Sequence, residues 1–284
     1  MAGIVSSTLI IAWRDIKKWI GRRAVFVVSI ITPLIWIAFF GKSMNIQGIF
    51  TSRVPENLPP QLQNLMQELF NQALLNAFGT TDYFTFFAAG MLAVFSLFQS
   101  MFSGVSVIFD KRLGYMDRLL VTPTPRTAIF LGKVGATLFR LSLLEILLFA
   151  AAVALGMNLK PDLGVSDLLA AWIVIMLLSL GLSSAYTTLS FYAENQEVIF
   201  AVGNLVNLPL MFTSSALFPV QQMPSWLQAI AKVNPVTYAA DLVRYHLVGK
   251  PINDYLFHIS ILAIVSLGLF IVGLALSVRW MNNR

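Results

Sequence analysis

Residues 110–127 read DKRLGYMDRLLVTPTPRT. The interval sets charges of both signs, a glycine and a Pro-x-Pro between two long apolar blocks. Whether it lies in water or in lipid decides the fold. Around it, 57% of the 284 residues are hydrophobic and 11% are charged, with a mean hydropathy of +0.77. Soluble domains carry about a quarter charged residues, so the chain is an integral membrane protein and 110–127 is a loop between spans. The sequence has no cysteine, which excludes a disulfide scaffold and thiolate metal sites. His246 and His258 are the only imidazoles, too few for the three or four convergent ligands of a zinc site. No G-x-x-x-x-G-K-[ST] loop occurs, so the chain has no phosphate cradle of that kind. The net charge of +6 reads first as membrane topology rather than nucleic-acid binding.

A bilayer core of about 30 Å takes roughly 20 apolar residues in a helix. Six windows qualify: about 24–44, 83–108, 127–157, 166–192, 197–217 and 255–278. Pro33 interrupts the first and Pro209 the fifth, which neighbouring helices tolerate in lipid. The basic N-terminal segment has no small-residue cleavage site after it and is not read as a secretory signal. With the N-terminus inside, 12 Lys and Arg fall on the inner side, 6 on the outer, and Arg140 within a span. The positive-inside rule then puts both termini in the cytoplasm. Trp13, Trp19 and Trp280 fall at the inner boundary and Tyr83, Trp172 and Tyr255 at the outer.

Outside the spans, 5–23 reads as a basic amphipathic helix lying in the inner headgroup plane, with Leu9, Trp13, Ile16 and Ile20 at helical spacing. A second amphipathic helix runs from Leu62 to Leu74, with Gly79 as its cap and an outer-surface position. The segment LFPVQQMPSWLQAIAKVNPVTYAADLVRYHLVGKP, 217–251, is broken by Pro219, Pro224 and Pro235 and suits re-entrant or interfacial helices at the outer face.

Two motifs carry a family resemblance. In the first, Asp110, Gly114, Asp117, Leu119, Leu120, Thr122, Pro123, Arg126, Gly132 and Lys133 match the loop after the second span of type-2 ABC exporter permeases. In the second, Phe218, Pro219, Pro224, Trp226, Leu227, Asn234, Pro235, Thr237, Tyr238, Asp241 and Arg244 match that family's outer segment. The chain resembles most the daunorubicin-type, drug-resistance permeases, although Arg112 and Tyr115 stand where many members have an acidic residue and Thr.

The resemblance implies an all-α membrane protein forming one transmembrane domain over 1–284. It would be the non-catalytic half of an ATP-driven exporter in a prokaryotic plasma membrane, expected as a homodimer with two separate ATPase subunits. ATP and magnesium would be bound by those subunits, and this chain would hold neither cofactor nor metal. The opening stretch would be the coupling helix. Leu113, Met116 and Leu120 would face one side, leaving Asp110, Arg112, Asp117 and Arg118 beside Gly114 to meet the ATPase, before Pro123 and Pro125 end the helix. Ala193–Glu197 would form the second inner turn.

Within the spans, Arg140 and Glu145 each cost roughly 2.5–3.5 kcal/mol by insertion scales, and are expected to form a buried pair, with substrate contact as the alternative. Phe95, Gln99, Phe102 and Ser103 in the second span, and Asn204, Asn207, Met211 and Ser214 in the fifth, are the candidate path lining; polar bonding between helices is the competing role. Ser179, Ser183, Thr187 and Ser190 read as helix packing. The cargo expected is a hydrophobic or amphipathic drug or lipid-like compound, with a glycolipid or polysaccharide as the alternative. A secondary transporter would want internal repeats and several intramembrane carboxylates. A membrane enzyme would want clustered catalytic side chains.

Overall fold

A computed structural model of the chain describes residues 3–21, 23–41, 43 and 59–283, and all regular structure among them is helical. Helix α1 is Ile4–Ile20. Helix α2, Arg23–Trp36, contains Pro33 and runs into a wider turn over Ile37–Gly41. Pro33 removes a backbone donor from the helical ladder, and the looser turn begins one turn later, at Ile37. Next come α3 (Pro60–Phe78), α4 (Tyr83–Ser100), α5 (Phe102–Arg112), α6 (Tyr115–Val121) and α7 (Arg126–Ala154). The chain ends with α8 (Val165–Tyr192), α9 (Gln196–Phe212), α10 (Ser225–Ala231), α11 (Pro235–Val248) and α12 (Tyr255–Asn282).

Short polar side chains start four of these helices. The Asp82 carboxylate accepts from the Phe84 and Thr85 amides at 3.1 Å, and Asn195, Asn234 and Asp254 do the same for α9, α11 and α12. Such caps satisfy amides that the first turn leaves bare. Gly79 closes α3 in the left-handed region, as its position predicts.

Among the described residues four segments are long and apolar enough to cross a membrane: one within Gln61–Arg112, then Arg126–Ala154, Val165–Tyr192 and Tyr255–Asn282. The other two expected windows correspond to shorter apolar helices, Val27–Phe39 and Gln196–Phe212. At 1.5 Å per residue the latter extends about 26 Å, short of a 30 Å core. The window 83–108 is divided at Met101, where Ser100 and Ser103 hydroxyls bond back to carbonyls of the preceding turn. Back-bonding of this kind bends helices.

Helix α8 sits at the centre. Ser179, Ser183, Thr187 and Ser190 are all fully buried, in the packing role expected of them. Ser103 donates to the Ser183 carbonyl at 2.8 Å, Ser179 to the Ser96 hydroxyl at 3.2 Å, and Thr188 to the Gly273 carbonyl at 3.1 Å. Lipid gives helices no hydrophobic reason to associate. Small residues and interhelical hydrogen bonds do that work.

At one end of the bundle Arg244 of α11 is wholly buried. It donates to the carbonyls of Phe86, Ser215 and Ala216 at 2.7–3.1 Å and lies 3.6 Å over the Phe86 ring. Asn234 donates to the Leu210 carbonyl and the Thr213 hydroxyl, tying the start of α11 to the end of α9. Gly90 makes this approach possible, because a Cβ there would lie 2.2 Å from the Ala216 carbonyl oxygen. Gly90→Ala is expected to cost about 1–3 kcal/mol, seen as a lower unfolding temperature in detergent. An unchanged midpoint would refute this contact.

Candidate functional site

The other end of the bundle gathers charge. Helix α1 lies along α7. Its inward residues are Ser7, Ile11, Ile16 and Trp19, whereas Leu9, Trp13 and Ile20 are exposed. The apolar stripe expected on one face therefore splits: Ile16 packs on protein and the other three point outward. One apolar face packs on protein and the other stays exposed.

Asp110, in the last turn of α5, is 1% exposed. Its carboxylate takes Lys18 at 3.0 Å, and Arg14 and Lys133 in close ion pairs. Lys133 of α7, 2% exposed, also reaches Asp15 at 2.7 Å, and Ser106 donates to Asp15 at 3.3 Å. Three helices are thus tied through two carboxylates. The Arg14 guanidinium stacks 3.5 Å from the centre of the Tyr115 ring, bringing in α6. Burial works against the Arg14 charge, but Asp15 and Asp110 outweigh it and hold its pKa above the ordinary value. Burial likewise pushes the Tyr115 phenol up, with the Arg14 charge opposing.

Asp110, expected among the partner-facing charges, is therefore turned inward and held by its own chain. The remaining residues of the stretch divide differently from the expected pattern. Met116 and Leu119 are the buried side of α6, while Leu113 is 66% exposed and Leu120 is half-buried. An i, i+3 pair, not the 113/116/120 set, seats the helix. Arg112, Asp117 and Arg118 are exposed, as is Val121 at 86%. Gly114 joins α5 to α6 at φ 65°, a left-handed conformation that side chains with a Cβ rarely adopt.

The 193–197 turn and the C-terminal helix meet the same end. Lys111 donates to the carbonyls of Ser190, Phe191 and Ala193 at 2.7–3.2 Å and lies 5.3 Å from the Trp280 ring centre. One cation closes the bare C-terminal carbonyls of α8. The 110–127 loop, the 193–197 turn and the end of α12 form one surface.

The ABC-2 type transporter family matches residues 6–248, from α1 through α11. The chain is 31% identical over 225 residues to the transport permease ycf38 of Porphyra purpurea, covering 79% of this chain and 68% of that one. It is 25% identical over 207 residues to the daunorubicin resistance ABC transporter permease protein DrrB1 of Streptomyces coeruleorubidus, covering 72% and 71%. Nodulation protein J of Rhizobium leguminosarum bv. viciae is 29% identical over 200 residues, covering 69% and 74%.

The chain belongs to the ABC-2 type transporter family. Permeases of this family are non-catalytic membrane subunits of ABC transporters, and nucleotide binding belongs to a partner ATPase. The second family motif is architectural here: Asn234, Tyr238, Asp241 and Arg244 all bond within the chain, Tyr238 to the Lys232 carbonyl and Asp241 to Ser215. Spacing alone does not separate such a scaffold motif from a binding one.

The candidate path residues of this ABC-2 permease fall into two groups. Phe95, Gln99, Ser103, Asn207, Met211 and Ser214 are buried. Asn207 accepts from the Tyr186 hydroxyl at 2.5 Å and so joins α9 to α8, whereas Ser214 donates locally to the Met211 carbonyl and closes the end of α9. Phe102 is half-buried and meets Phe200 edge-on at 6.3 Å, while Asn204 is exposed on α9.

Arg140 and Glu145 do not pair. Arg140 donates to the Gln99 carbonyl at 3.4 Å and lies 5.9 Å from the Phe102 ring centre. Glu145 is buried, and neither carboxyl oxygen has a hydrogen-bond partner. Five residues turn the two side chains to different faces of α7, which overrides the attraction expected between them.

Asp110→Asn is expected to cost about 3–5 kcal/mol, because Lys133 and Arg14 lose a buried counter-charge; Asp117→Asn is expected to leave the detergent unfolding temperature unchanged. Glu145→Met should preserve or raise that temperature, since it removes an unpartnered buried carboxyl. A marked drop would show that Glu145 has a stabilising partner.

Proposed function

We propose that this chain is the membrane half of an ATP-driven exporter of hydrophobic or amphipathic compounds, working as two identical permease subunits with two ATPase subunits. In this reading 1–284 is one transmembrane domain in a prokaryotic plasma membrane, with both termini cytoplasmic. Helices α2 and α9 complete six spans, and α10 and α11 form the outer, non-crossing segment. The observation that carries the proposal is the exposed tip at α6. Asp117, Arg118 and Val121 protrude from a seven-residue helix whose base is held by Met116, Leu119 and the Arg14–Tyr115 stack, and Arg112 is exposed beside it at the end of α5. A short helix with an anchored back and a charged front suits a groove on a soluble partner.

The ATPase would bind ATP and magnesium, and the tip would carry its movement to α5 and α7 through Gly114 and the Thr122–Pro125 turn. A drug-like cargo is supported by the likeness to a daunorubicin resistance permease. Phe102 and Phe200, with Asn204 alongside, offer the mixed aromatic and amide surface such a cargo needs. Gln99, Asn207 and Met211 behind them would set its shape.

Replacing Asp117 and Leu120 together by Ala is expected to abolish ATPase co-purification and transport while the permease stays folded in detergent. Retention of both would overturn the coupling role. Because the chain has no cysteine, single cysteines at Arg118 and Lys160 report sidedness. An impermeant maleimide added to intact cells should label the second and not the first.

A further inference from the structure

Arg14, Lys17 and Lys18 of α1, with Asp110, Leu113 and Tyr115, line a cleft of about 430 Å³. That volume falls in the range of small-ligand sites, about 300–1,000 Å³. The charges around it do not balance. Arg14, Lys17, Lys18 and Lys133 supply four positive charges against Asp15 and Asp110, an excess of two. Asp110 holds Arg14 and Lys18 in place from below. Lys17 is exposed and forms no ion pair among the described residues.

The rest of the lining is apolar: Leu113 is two-thirds exposed, and Tyr115 presents a ring already covered on one side by Arg14. The same helix turns Leu9, Ile10, Trp13 and Ile20 outward, a face suited to the boundary between headgroups and acyl chains. An open cleft with net positive charge and an apolar wall, on the helix that carries this face, matches a phosphate that carries hydrocarbon. A free anion would gain nothing from the wall.

We infer that this cleft binds the headgroup phosphate of an anionic phospholipid. Its phosphate accepts from Lys17 and from the outer faces of Arg14 and Lys18, and its glycerol end rests on Leu113 and Tyr115. The inference rests on α1 lying at a bilayer face, the position proposed above. Leu113 and Tyr115 flank Gly114, the joint between α5 and α6. An occupied cleft therefore braces the base of the α6 tip, and membrane composition bears on how firmly that tip is held.

Native mass spectrometry of the detergent-purified permease tests this with phosphatidylglycerol and phosphatidylcholine of identical chains. The wild type is expected to retain phosphatidylglycerol preferentially. Lys17→Gln should bind it about fivefold more weakly, and Lys17→Arg should restore binding. Lys232→Gln, at the opposite end of the bundle, serves as the control and should leave binding unchanged. Equal retention of the two lipids, or equal weakening by Lys17→Gln and Lys232→Gln, would overturn the site. Loss of the lipid on adding millimolar inorganic phosphate would assign the cleft to a free anion and overturn the lipid. No ATPase or transport enters this readout, so its failure leaves the export reading standing.

Discussion

A carboxylate removed from water must find cations or protonate, and Asp110 finds three. Two come from α1 and one from α7. Breaking a buried pair costs far more than forming one gains, so the network specifies an arrangement more than it adds stability. It fixes where a helix of mixed apolar and basic character rests, and it fixes the last turn of α5. Once that turn is set, Gly114 and the Arg14–Tyr115 stack set the direction of α6. The exposed charges of the loop follow from the buried one.

The opposite end solves a related problem with a cation. Arg244 meets the Ser215 and Ala216 carbonyls of the turn after α9 as well as the Phe86 carbonyl of α4, and Asn234 bridges α9 to α11. Turns and short helices packed against a bundle need such partners, because a buried backbone group left unpaired carries its full desolvation cost. Between the two polar ends, contact depends on small side chains and hydroxyls along α8. Polar chemistry locates the ends, and close approach joins the middle. Glu145 stands outside both devices, buried in α7 with neither.

Much of this was legible in the residues. The apolar blocks announce spans, Gly79 and the Asp and Asn caps mark helix ends, and the two motifs announce a family that the matched residues 6–248 establish. The stripe of Ser179, Ser183, Thr187 and Ser190 was readable as packing because lipid-facing positions rarely repeat hydroxyls at that spacing. Within the candidate interval the structure changes the facing of the residues. Met116 and Leu119 seat α6, and Leu113 does not. Seven residues make too few turns for periodicity to choose a face. Asp110 looked like its exposed neighbours because its partners, 96 and 92 residues upstream in α1, leave no local trace. Arg140 and Glu145 were the reverse case: opposite charges close in sequence that the helix turns apart.

What the sequence determined by itself is the division into apolar segments and the polar interval between them. Hydropathy is a sum over neighbouring residues, and that sum sets the long apolar runs apart from 110–127 whatever the packing. Only the tertiary structure decided which charges are held inside the fold and which stay exposed. That choice depends on which helices come within a few ångströms of one another, and contacts between distant residues are not written in either one's local sequence.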